Sequence, residues 1–177
     1  LDQDAIRQRV DQIRQVDPRQ DRPVLVQARS GLADYARFAQ IVCVGRASVG
    51  TSFPLTQYGQ WLRVQHDLTQ AYVPLLAEIQ TELPTTVAEQ AAFFSGVNAP
   101  LAIQFAQLRG QVLQATAGGA RGFLFRSRTR LDDGTEVSSQ RRLNLTLVNR
   151  QLLQIAPWIA GAVVGTPLEQ TEPNLEV

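Results

Sequence analysis

The sequence predicts an α+β fold, with about four to five helices packed on one face of a C-terminal three-stranded antiparallel β-meander. Two observations carry this expectation. Residues 122–157 alternate polar and apolar side chains on either side of Asp132-Asp133-Gly134, a hairpin-loop sequence in which Gly suits the left-handed position. The residues ahead of them carry apolar stripes at steps of three and four, the helical period. Helices first and strands afterwards is the α+β order, the helices covering one face of an antiparallel sheet. The expected organisation is a single domain over 1–165, with helices over 1–117 and a meander over 122–157, followed by a flexible tail over 166–177.

The meander is an argument from register. A three-residue loop at Asp132–Gly134 pairs Leu131 with Thr135 and puts Phe123 and Phe125 on the face of Leu143, Leu145 and Leu147. A second loop at Asn149–Gln151 adds Leu153 and Ile155 to that face. The opposite face then carries Arg126, Arg128, Arg130 and Arg142, as a half-solvated antiparallel sheet should.

Ahead of the meander, residues 4–16 space Ile6, Val10 and Ile13 for one helical face, and Asp17-Pro18 ends the helix. Pro23–Val26 reads as a short extended segment. Ser30 caps a helix through about Val42, although Ile41–Val44 is β-branched enough to be a strand. The longest helix is expected from Thr56 to Leu83, where Trp61, Val64, Leu68, Tyr72, Leu75, Ile79 and Leu83 form a stripe that Pro74 should kink. Thr86 and Glu89 make a capping box for a helix ending at Gly96. Asn98 caps the next, Ala99–Thr116, which Gly118-Gly119 closes.

The chain has 177 residues and a formal charge of +1, so nothing in the balance demands nucleic acid or an anionic membrane. All 17 cations are arginine, where average usage predicts on the order of ten lysines. A GC-rich genome is the plain reading of that absence, and avoidance of ubiquitination by an effector or toxin chain is the sharper one. The sequence contains no Met and begins at Leu1, which is expected of a processed or trimmed chain. One cysteine, Cys43, rules out an internal disulfide, and one histidine rules out a conventional His/Cys zinc site within one chain. No run approaches the roughly 20 apolar residues of a membrane span.

Gly45–Ser52, GRASVGTS, entered from Ile41–Val44, resembles the phosphate-binding loop of P-loop nucleotide hydrolases in its glycine spacing and final Ser. In that family a strand leads into a glycine loop whose backbone N–H groups cradle phosphates, a Lys follows the second Gly, and a helix begins there. The resemblance implies nucleotide binding at these residues. The chain departs from it at Thr51, which stands in the Lys position, and at Phe53-Pro54, which interrupts the helix. Taken alone, the residues read as an ordinary Gly-bounded loop, and the Gly-x-x-Ser-x-Gly spacing misses the nucleophile elbow by one position.

The remaining candidates are few. His66 beside Asp67 has the makings of an acid–base pair, with Ser48 a candidate nucleophile, for a small hydrolase or transferase. The row Arg126, Arg128, Arg130 and Arg142 offers guanidinium groups to carboxylate or phosphate, and the absence of outward aromatics turns the reading from nucleic acid to an acidic protein. The leading expectation is a non-catalytic soluble bacterial domain of the envelope, periplasmic or secreted, that binds another protein as an immunity-type or accessory factor, with a cytoplasmic location as the alternative. No cofactor or metal is expected. The alternatives are the His66–Asp67 enzyme and a lysine-free secreted effector.

Overall fold

Short buried runs separated by amphipathic helices build a sheet that the sequence pattern conceals. A computed structural model describes residues 3–19, 21–69, 72–95 and 102–161. Among them the chain runs α1 (Gln3–Val16), β1 (Leu25–Gln27), α2 (Leu32–Tyr35), β2 (Ile41–Gly45), α3 (Tyr58–Asp67), β3 (Leu75–Gln80), α4 (Thr85–Ser95), α5 (Phe105–Ala117), β4 (Gly122–Arg126) and α6 (Glu136–Gly161). The strands form one sheet in the order β1-β2-β3-β4, and every neighbouring pair is parallel. The architecture is α/β, and it overturns the expected α+β meander.

Of the expected meander only Gly122–Arg126 is strand, and it pairs with β3 rather than with anything downstream. Residues 136–161 form one helix. The Asp-Asp-Gly sequence leads into that helix: Asp133 Oδ1 accepts the Thr135 N–H at 2.9 Å, and Thr135 Oγ1 accepts the Ser138 N–H at 3.2 Å, an N-cap bond. Gly134, at φ 79°, supplies the left-handed residue just before the cap. Along α6 the buried positions are Ser138, Arg141, Asn144, Leu145 and Val148, a helical stripe in which three of the five are polar. Its apolar signal is therefore weak, while Leu143, Leu145 and Leu147 alternate without sharing a face; Leu143 is 52% exposed.

Two expected helices are shorter than their patterns. After Gly31, in the left-handed region at φ 68°, α2 lasts four residues, and Ile41–Gly45 is strand. The expected helix 56–83 divides into α3 and β3, and Tyr72, on its supposed inner stripe, is 80% exposed. Pro74 directly precedes β3, where its missing donor is harmless, instead of kinking a helix. Leu75, Ala77 and Ile79 are all fully buried, and a short continuous apolar run has no period that distinguishes strand from helix. α5 starts at Phe105, where Gln104 and Gln107 form the capping box. The expected Asn98 cap and the tail 166–177 lie outside the described residues.

One sheet face is apolar and covered. Val26, Val42, Val44, Leu75, Ala77 and Ile79 form a continuous core with Tyr58 and Leu62 of α3, Leu108, Val112 and Ala115 of α5, and Leu145 and Val148 of α6. Ile6 of α1 joins the same core. α3 and α5 meet closely at glycines: a Cβ on Gly118 would lie 2.6 Å from the Gly59 carbonyl oxygen. The opposite face carries Gln27, Leu124 and Arg126 in exposed positions, with Cys43 and Glu78 buried at its centre. With strand order 1-2-3-4 and helices packed on the apolar face, the carboxyl ends of the strands form a rim to which the loops after β2, β3 and β4 contribute.

Candidate functional site

In parallel sheets ligands bind outside the carboxyl ends of the strands, because that rim carries the loops that differ from fold to fold. A cavity of about 290 Å³ lies there. β2 contributes Gly45 and Arg46, β3 contributes Glu78, Gln80 and the following Glu82, and β4 contributes Arg126 and the following Arg128.

Glu78 is the floor of this pocket. It sits beside Gly45 in the β2–β3 register, and a Cβ at Gly45 would come within 2.5 Å of the Glu78 Cβ. The missing side chain on β2 is what lets the Glu78 carboxylate lie across the sheet. There Glu78 Oε2 accepts from Gln27 Nε2 of β1, and Oε1 accepts from Arg126 Nη1 of β4 at 3.0 Å. One carboxylate thus links the two edge strands across β2 and β3. The Glu78 side chain is 9% exposed and its partner Arg126 is 54% exposed, so the guanidinium reaches from a buried ion pair to solvent.

The walls are fixed by amides and a second carboxylate. Gln80 Oε1 accepts the N–H groups of Ser48 and Val49, each at 3.1 Å, and Gln80 Nε2 donates to the carbonyls of Val49 and Glu82. Gln111 of α5, fully buried, accepts the Gln80 N–H at 3.1 Å and donates to the Gln80 carbonyl at 3.0 Å. Glu82 accepts from the Arg128 N–H at 2.9 Å, the Thr129 N–H at 3.1 Å, the Thr129 hydroxyl and Arg141 Nη1. Arg141, only 5% exposed, also donates to the carbonyls of Thr129 and Arg130. Burial pushes the Glu82 carboxyl up, but the Thr129 hydroxyl, the two backbone N–H groups and the Arg141 charge together hold it below the ordinary value. Behind the floor, burial and then the charge of Glu78 raise the Cys43 thiol to about 11. Burial first, then Cys43 and Glu78, also push the Tyr58 phenol up, and Tyr58 Oη donates to the Glu78 carbonyl at 2.9 Å.

At the mouth, Arg46 packs its guanidinium 4.0 Å from the centre of the Phe53 ring. Arg128 is committed to Thr85, the Leu83 carbonyl and Glu82. Three guanidiniums face two carboxylates, so the lining carries a surplus positive charge. Both carboxylates are held by cations and neither is served by a histidine.

The structure separates most of the candidates picked from the sequence. Arg126 and Arg128 line the pocket, whereas Arg130 pairs with Asp132 at 2.9 Å on the surface and Arg142 is an exposed residue of α6. The four guanidiniums therefore do not share a sheet face. His66 and Asp67 lie at the end of α3, His66 Nδ1 3.7 Å from Asp67 Oδ1, and neither lines the strand-end cavity. Ser48 is buried, and its hydroxyl has no hydrogen-bond partner among the described residues. The loop Gly45–Ser52 does follow a strand, but its Ser48 and Val49 N–H groups are taken by Gln80, and no α-helix begins before Tyr58. Gly50 faces Leu83 and Val87, which a Cβ there would meet at 2.9 and 3.0 Å. No group of three or more metal-ligating side chains is found among the described residues. Gln27, Arg46, Glu78, Gln80 and Glu82 were not legible as site residues; the signal for three of them was Leu75–Gln80 bounded by Pro74 and Pro84, a strand-length run.

Fold and site together define a parallel α/β protein with a polar, arginine-rimmed pocket at its strand ends. Comparison with known proteins finds no match: no family model, no curated protein and no solved structure is similar to this chain. No helix among the described residues is long and apolar enough to cross a membrane.

Proposed function

We propose that this chain is a non-catalytic binding domain that takes a small anionic ligand, bearing carboxylate or phosphate, into the pocket at the ends of β2, β3 and β4. One observation carries the reading: Arg126 is anchored to the buried Glu78 by a single amino group, while more than half of its side chain faces solvent beside the pocket. A guanidinium held in this way is oriented in advance and keeps donors for a bidentate contact with an oxyanion. Arg46, exposed at the same mouth and stacked on Phe53, adds a second cation. The cavity is of the size that encloses a small molecule.

Calorimetric titration with inorganic phosphate and with malonate tests this. Binding of either is expected. Replacing Arg126 or Arg46 with Ala should weaken it about tenfold or more, the worth of one charge-assisted hydrogen bond, while His66→Ala leaves it unchanged. No heat from either anion, or equal binding by the Arg126→Ala chain, refutes the reading. The protein-partner expectation is retained as a second reading because the same exposed Arg46 and Arg126 can receive an acidic side chain. Capture of an acidic partner that free phosphate does not displace favours it. An envelope or secreted compartment accompanies either reading as a proposal, tested by fractionating cells that express the full gene.

A further inference from the structure

Among the described residues, the face of the sheet opposite the main core buries Cys43 and Glu78 at its centre and exposes side chains on its two outer strands. Among the described residues β1 pairs only with β2 and β4 only with β3, and Leu25 and Leu124 on that face are 43% and 40% exposed. The crossovers between successive strands bury α2, α3 and α5 against the same covered face. A doubly wound sheet reverses its strand order and places helices on both sides; a sheet that keeps chain order with a helix of every crossover on one side is the arrangement of a wrapped barrel, whose other face turns inward. The opposite face here is built like a barrel interior. Large side chains lean over glycines, Glu78 over Gly45 and Leu76 over Gly122, where an added Cβ would meet them at 2.5 and 2.7 Å. The polar Glu78–Arg126 layer lies at the carboxyl end, with Cys43, Leu76 and Leu124 beneath it. Four strands are half of the eight that close a barrel filled by its own side chains.

We propose that two copies of this chain close on each other, β4 of each pairing in parallel with β1 of the other, to form an eight-stranded barrel in which the second copy supplies the far wall of the pocket. A two-fold axis along the barrel keeps all strands parallel and makes the two new junctions identical, so one set of contacts satisfies both open edges. A second copy is thus the simplest occupant that matches both. The completion of the pocket rests on the ligand reading above; the closure of the barrel does not.

Light scattering on the 177-residue chain at tens of micromolar should give a mass near twice 19.5 kDa. Leu25→Lys and Leu124→Lys, which put an ammonium inside a closed barrel but at exposed positions of a lone sheet, should each halve that mass with the helical circular dichroism retained. Leu153→Lys, on an α6 side chain 76% exposed, should leave the dimer intact. A wild-type chain that is monomeric, or a dimer that both sheet variants leave whole, overturns the closure. Phosphate titration then separates the two readings. Weakening of tenfold or more in monomeric Leu25→Lys supports the completed pocket. Equal binding by that monomer overturns the shared wall while the pocket stands. No binding by either chain refutes the pocket, and the measured mass still decides the closure.

Discussion

Replacing Glu82 with Gln keeps the side chain's size and removes its charge, which leaves Arg141 in the loop–helix junction without its hydrogen-bonded counter-ion. Arg141 is 5% exposed, and apart from Glu82 its hydrogen-bond partners are uncharged, the Thr129 hydroxyl and the carbonyls of Thr129 and Arg130, with the Asp133 carboxylate acting on it only through its charge. Removing one partner of such a buried pair costs about 3–5 kcal/mol, because the remaining ion stays desolvated. At a urea slope of about 2 kcal/mol/M the unfolding midpoint should fall by roughly 1.5–2.5 M, measured by circular dichroism at pH 7. Adding Arg141→Met to Glu82→Gln should recover much of the loss, since the orphaned charge then disappears. The pH dependence has a definite sign. The Glu82 carboxyl is depressed in the fold, so its contribution is complete above the ordinary carboxyl value of about 4.3 and is lost as pH falls through the lower, folded value. The gap between wild type and Glu82→Gln should therefore close on acidification. A loss under about 1 kcal/mol at pH 7, or a gap that persists in acid, refutes the view that this charge pair holds the β4–α6 connection.

Three further outcomes follow from the neighbouring contacts. Gly45→Ala places a Cβ 2.5 Å from the Glu78 Cβ, so thermal melts should show a loss of about 1–3 kcal/mol and phosphate titration a weaker pocket. Tyr58→Phe removes the donor to the Glu78 carbonyl at 2.9 Å and should cost about 1–3 kcal/mol in urea melts, the higher figure applying if the carbonyl is left unpaired. Cys43, fully buried with its thiol raised to about 11, should resist an aromatic disulfide reagent at pH 8 until urea is added; rapid labelling of the native chain contradicts its burial at the centre of the sheet.

What was legible in the sequence was what announces itself locally. The helix over residues 4–16 is present, with Val10 of its expected stripe buried and Ile13 half exposed, Pro23–Val26 overlaps β1, and the alternation in Gly122–Arg126 is a strand. The partner of that strand was hidden: β3 is buried in the middle of the sheet, and Leu75–Ile79 lends itself to a helical count, whereas the β-branched run Ile41–Val44 of β2 already offered a strand as the alternative to a longer helix. α6 was masked the other way: Ser138, Arg141 and Asn144 occupy its inner face because they serve Thr135, Glu82 and the Ile103 carbonyl. A polar residue that faces inward to a partner distant in sequence looks like a surface residue until the fold is known. The same holds for the site. Arg126 and Arg128 stood out as cations on a strand, but Glu78 and Glu82, which orient them, lay inside a supposed helix 46 or more residues away.

The reciprocal amide link between Gln80 and Gln111 has a consequence for variation among descendants of this chain. Gln111 donates a hydrogen bond to the backbone carbonyl of residue 80 and accepts one from its N–H, while Gln80 does the same for the loop after β2. Glutamate at either place trades the donor for a second acceptor, and asparagine is one methylene too short. Because Gln111 bonds only the backbone of residue 80, each position is constrained separately, and a change at Gln80 should travel with a remodelled Ser48–Val49 turn.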